Sequence, residues 1–130
     1  MQAGVKIRAK RKLTERAYSY DPIPVSNQLD LNEAFDSRAY TETWNDMMKL
    51  QEDEYYPSAF SRIKVPVLMI HGDYDPHPGE MIYAKLKTYI PQLEYYKLTN
   101  CGLFPWQERS ARKEFFMILS NWLLQNTESP

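Results

Sequence analysis

The chain has 130 residues, of which 43% are hydrophobic and 14% aromatic, so it holds material for one packed domain and too little length for two. No apolar run approaches the roughly 18 residues of a membrane span, which excludes a membrane partner from the expectations. No basic-then-apolar leader precedes the first element, and the single cysteine, Cys101, rules out an internal disulfide framework, so a cytoplasmic protein is expected.

The net charge of −1 is unevenly spread. Residues 1–16 carry Lys6, Arg8, Lys10, Arg11, Lys12 and Arg16 against Glu15 alone, a net of +5, whereas the remainder carries ten basic and sixteen acidic residues, a net of −6. Such an arm can meet nucleic acid or an acidic partner. No aromatic residue interleaves Lys6 to Lys12 as a single-strand binder requires, so nucleic acid is not an expected partner.

In chain order, Val5, Ile7 and Ala9 alternate with Lys6, Arg8 and Lys10, the period of a one-sided strand. Residues 17–35 include Asp21-Pro22-Ile23-Pro24, lack periodicity, and read as a linker packed by Tyr18, Tyr20, Ile23 and Leu31. The expected organisation is therefore a basic arm and linker over 1–35 and a folded domain over 36–130. Asp36 or Ser37 can cap a helix running to about Glu52, with Tyr40, Trp44, Met47, Met48 and Leu50 as its buried face. After the bend Tyr55–Phe60, Phe60 and Ile63 are expected to pack beneath a strand over Val65–Ile70, whose apolar, branched run suits burial on both faces. Glycine and proline stop that strand across His71–Gly79. A helix over 80–90 and a second strand over Leu93–Leu98 complete a parallel βαβ unit. Ala111, Phe115, Ile118, Leu119 and Trp122 predict a final helix over 107–124. The expected core includes Trp44, Met48, Val67, Met69, Leu86, Phe115, Leu119 and Trp122.

Several of these stretches resemble the late part of an α/β-hydrolase. Tyr56-Pro57 through Phe60, Ile63 and Pro66-Val67-Leu68 follow the family's approach to a strand ending in Ile-His-Gly, here Ile70-His71-Gly72. Gly72-Asp73-Tyr74-Asp75 matches the family's Gly-x-x-Asp, which places Asp75 on the triad acid. Asn100-Cys101-Gly102-Leu103-Phe104-Pro105-Trp106 matches the small-residue turn that carries the family's catalytic histidine, and its histidine position is Leu103. The resemblance spans roughly residues 36–124. It implies the cap-exit and C-terminal third of such a fold, a partial sheet flanked by helices, with the Gly-x-Ser-x-Gly elbow lying outside this sequence.

Other chemistry is open to the same residues. His71 and His77 could stand in for the missing base, although His71 ends the strand and His77 is fenced by Pro76 and Pro78. Asp73, Asp75 and His77 have metal-binding side chains, but three ligands within five residues and two prolines are poorly preorganised, and no metal or other cofactor is expected. Cys101 has no histidine beside it to lower its pKa, and a small buried thiol is the simpler reading. Two functions follow. One is a non-catalytic hydrolase-like module, a truncated or remnant hydrolase that pairs as a homodimer or with another chain completing its sheet. The other is one part of a split serine-type ester or amide hydrolase, with Asp75 as triad acid and the nucleophile from a partner chain.

Overall fold

The computed structural model describes residues 17–24 and 36–127. The basic arm, its alternating stretch Val5–Ala9, and Leu31 lie outside the described residues. The centre of the fold is the expected βαβ unit. Strand β1 (Val67–Gly72) pairs in parallel with β2 (Leu93–Leu98), in the register Val67↔Leu93 to Gly72↔Leu98. Helix α2 (Gly79–Lys87) makes the crossover. Helix α1 (Ser37–Glu52) precedes the unit and α3 (Arg112–Thr127) follows it. The chain is thus mixed α/β, and among the described residues no helix is long and apolar enough to cross a membrane.

β1 starts and ends two residues later than the apolar run suggests. Pro66 has no amide to give a ladder, and the carbonyls of Ile63 and Val65 accept instead from the Gln92 side chain, at 2.8 and 2.9 Å. At the other end His71 and Gly72 remain paired, with Lys97 and Leu98. A Cβ on Gly72 would run into the Cys101 and Gly102 backbone, so the strand keeps its register here only because the residue has no side chain.

Asp36 caps α1 as expected, its Oδ1 accepting from the Arg38 and Ala39 amides at 3.1 and 2.9 Å. The expected burial of α1 does not follow. Trp44 is 51% exposed and Met48 36%, and no residue of the helix is fully buried. The end of α1 approaches α2, where Met47 and Gln51 face Phe60, Ile82 and Leu86 across an open groove. Phe60 accordingly stacks on Tyr56 beside α2, their centroids 5.1 Å apart.

The buried centre lies at the carboxyl end of the sheet. Leu98, Cys101 and Ala111 are almost wholly enclosed, with Ile70, Phe115 and Ile118 packed against them. Ile90 and Leu93 close the opposite end of β2. Val67, Met69, Leu86, Phe115, Leu119 and Trp122 are only half-buried, so none of the eight residues expected in the core is among the buried ones, and the core is made instead by the strand ends and the turns that follow them. Tyr83 of α2 stacks on Tyr95 of β2 at 4.8 Å, and Trp122 reaches over from α3 to donate to Glu94 at 2.8 Å. α3 starts at Arg112 rather than near 107, because Gln107 and Arg109 are engaged in bonds to residues 21–23 that a helix would not permit.

Candidate functional site

The loop leaving β1 and the turn leaving β2 are tied together. The Asp73 amide donates to the Leu98 carbonyl and the Tyr74 amide to the Cys101 carbonyl, each at 2.9 Å. Asp73 Oδ1 accepts from the Cys101 amide at 3.3 Å. Asn100 takes a left-handed conformation, φ 53°, which asparagine tolerates, and so swings the chain out of β2 into that turn. Parallel strands with a crossover helix bring both segments to the carboxyl edge, where open α/β sheets place their ligands.

Asp75 is the centre of the loop. Its side chain is only 4% exposed. Oδ1 accepts from the His77 amide at 2.9 Å and meets His77 Nδ1 at 2.6 Å. Oδ2 faces His71 Nε2 at 3.5 Å, beyond a good hydrogen bond. That nitrogen is buried and has no hydrogen-bond partner, while the far side of the His71 ring packs against Gly79, where a Cβ would not fit. The two imidazoles therefore differ: His71 is enclosed at 13% exposure, and His77 is open at 57%. The Tyr18 ring stacks on His77, centroids 6.1 Å apart and planes 16° from parallel, and Tyr20 meets Tyr74 edge-on at 5.5 Å.

Leu103, where the sequence resemblance led a histidine to be expected, is half-buried, and its amide donates to the Tyr18 carbonyl at 2.8 Å. Asp73 turns to the Cys101 backbone while Asp75 turns to His77, so the metal reading finds its ligands divided. Among the described residues no three His, Cys, Asp or Glu side chains form a group able to hold a metal ion.

Cys101 is fully enclosed. Burial, chiefly, and then the carboxylates of Glu108, Asp73, Asp75 and Glu114 push its thiol up to about 12. At pH 8 that leaves about one thiolate in ten thousand, so the sulfur is no nucleophile. The thiol should react with a disulfide reagent such as DTNB at least about a hundredfold more slowly in the native protein than in denaturant, where its pKa returns to about 8.5. The folded state holds this proton more tightly than the unfolded one, so the stability it contributes is complete below about pH 8.5 and declines as pH rises towards 12. Urea midpoints measured from pH 8 to 10.5 should fall more steeply in the wild type than in Cys101→Ala.

Sequence reasoning missed the most constrained side chain at this edge. Glu108 is completely buried. Its carboxylate accepts from three backbone amides, Tyr20 at 2.8 Å, Asp21 at 2.7 Å and Gly102 at 3.0 Å. Around it Ile23 donates to the Gln107 carbonyl and Arg109 to the Asp21 carbonyl, at 2.7 and 2.9 Å, and Pro22 bridges Glu108 antiparallel. Gly102 admits this closeness, since a Cβ there would strike the Tyr18 carbonyl and the Glu108 carboxylate. The only signal in the sequence was a carboxylate set among Pro105, Trp106 and Gln107, which is also how an ordinary solvated residue before a helix looks. No protein-family model, curated protein or solved structure matches this chain.

Proposed function

We propose that this chain is a non-catalytic α/β-hydrolase-like module which completes its sheet by self-association. The observation that carries the reading is the state of the two chemical positions. Asp75 is built as an acid would be, but the place of the base holds Leu103, and the nearest sulfur is held as a thiol. The association half rests on β1. Among the described residues it is paired on one edge alone, by β2. On the α3 side Pro66, Val67, Leu68, Ile70, Leu119 and Trp122 border an open apolar groove of about 420 Å³. A two-stranded sheet is marginal in water, and an open edge templates a further strand. A second copy is the simplest donor, because isologous two-fold pairs are the commonest assemblies, and the alternating, basic arm 1–16 is suited to crossing between copies.

Light scattering, serine-probe labelling and turnover on one purified sample test both halves. A dimer or larger assembly is expected, with no labelling by a fluorophosphonate and no turnover of alkyl esters or amides. Deleting residues 1–16 should lower the assembly state or precipitate the protein. A monomer at micromolar concentration before and after that deletion refutes association.

A second reading, one part of a split serine-type hydrolase, is favoured by one contact: Asp75 does hold an imidazole, at 2.6 Å. Robust alkyl-ester turnover that appears when a serine-bearing partner chain is added, and disappears on Asp75→Asn, would establish it over the first.

A further inference from the structure

Residues 18–23 lie as a strap over the turn after β2, and they hold to it mainly by their own backbone. We propose that this strap is exchanged between copies: residues 18–23 of one copy dock on Leu103 to Arg109 of the next, so that each Glu108 carboxylate accepts from amides of its neighbour. The inference rests on the self-association proposed above, and it names the segment and the seat that carry it.

The seat is specific. It offers the Leu103 and Arg109 amides as donors and the Gln107 carbonyl and Glu108 carboxylate as acceptors. The strap answers with the Tyr18 and Asp21 carbonyls and the Tyr20, Asp21 and Ile23 amides. Pro22, which has no amide to give, falls opposite Glu108, where the bridge asks none of it. Side chains then select the sequence. Tyr18 stacks on His77, Tyr20 meets Tyr74 edge-on, and Asp21 pairs with Arg109 at 3.4 Å. A second copy carries the same strap by definition, so it satisfies the same seat.

Exchange keeps every one of these bonds, which is why such swaps are a low-cost route to a pair. The closed and exchanged forms differ in the path from strap to domain and in what the copies bury against each other. That path has reach. The eleven residues 25–35 can span at most about 40 Å, comparable with the width of a domain of this length. Beyond them α1 is lightly held, with no fully buried residue and Trp44 51% exposed. A firmly bonded end joined through a loosely seated stretch is the arrangement exchange needs. Within an assembly the neighbour's seat is also close, so a lifted strap meets it at high effective concentration. Residues 1–16 precede the strap in the chain and cross with it, towards the open edge of β1.

The test refolds isotope-labelled and unlabelled full-length wild type together from urea and reads the assembly state by light scattering. Isotope-filtered NMR should then show the Tyr18–His77 and Tyr20–Tyr74 contacts between labelled and unlabelled molecules. An assembly in which those contacts run only within one molecule overturns exchange and leaves self-association standing, whereas a monomer overturns both. A second arm uses two full-length variants. Asp21→Pro removes one donor from the strap, and Glu108→Gln spoils the seat, so neither chain alone holds an intact set. Refolded together, they leave one whole strap and one whole seat in different molecules. With the Glu108→Gln chain in excess, the Gly102 amide of the labelled Asp21→Pro chain should exchange with solvent on the order of tenfold more slowly than it does without that partner. Equal rates overturn the proposal. The wild-type measurement decides the matter if either variant fails to fold.

Discussion

Replacing Glu108 with alanine should cost about 3–5 kcal/mol of stability, among the largest single-residue effects in the molecule. Three backbone amides lose their acceptor at once. A hydrogen bond to a charged group contributes about 1.5–3 kcal/mol, and a buried donor left unmade costs about 1–3 kcal/mol. The sum overshoots, because Tyr20 and Asp21 can find water once residues 17–24 lift away, and the Gly102 amide, which that segment covers, is then opened to water as well. Glu108→Gln separates charge from shape. Its amide keeps one accepting oxygen but turns a donor towards another donor, and about half the loss is expected. For a domain of this size the alanine variant should melt on the order of 10 °C lower or more. Thermal and urea unfolding followed by circular dichroism give both numbers. A Glu108→Ala protein within about 1 kcal/mol of wild type would show that the buried carboxylate is not an anchor.

Gly72→Ala should cost about 2–3 kcal/mol by a different route. The added methyl meets the carbonyls of Cys101 and Gly102, which are backbone atoms and cannot rotate aside as a long side chain would. Either β1 slides in its register against β2 or the turn after β2 moves out. Both loosen the Asp73–Leu98 and Tyr74–Cys101 bonds that seat the loop after β1. The Asp73 and Tyr74 amides should therefore exchange with solvent deuterium faster in the variant than in the wild type. Loss of stability with those two amides as protected as before would mean that the strain is relieved elsewhere.

The βαβ unit was legible because its signals are local. Val67 to Ile70 is an unbroken apolar run, Leu93 to Leu98 a second strand, and the residues between them fall at helical spacing, so composition and period sufficed. Periodicity also picked out the apolar side of α1 correctly, but it says which residues share a side and not whether anything covers them. Trp44 and Met48 are the result, a coherent stripe left half in solvent. Asp75 stood out in the sequence by its place after Gly72-Asp73-Tyr74, and the structure shows it enclosed, in contact with His77. The pairing with His77 was not legible, because two residues separated by a proline can face together or apart depending on a turn that no pattern fixes. Glu108 lay beyond reach for a further reason. Its burial is compensated by amides 88 and 87 positions away in sequence, and a residue's own neighbours carry no record of such partners.

That separation bears on how the molecule assembles in time. Fastening Tyr20 and Asp21 to Glu108 closes a loop of nearly the whole described chain, and loop closure carries an entropic cost that rises with its length. The contacts among β1, α2 and β2 can form first, since they span far shorter stretches, and the closure then comes as a late event. The Tyr20 and Asp21 amides should exchange with solvent deuterium well before those of β1 and β2, through a partial opening that leaves the sheet intact. An intermediate with a formed sheet and an undocked first segment is the species in which the surface around Gly102 and Leu103 is uncovered. During synthesis, residues 17–24 emerge long before Glu108 exists to receive them, so their docking must wait until Glu108 has been made.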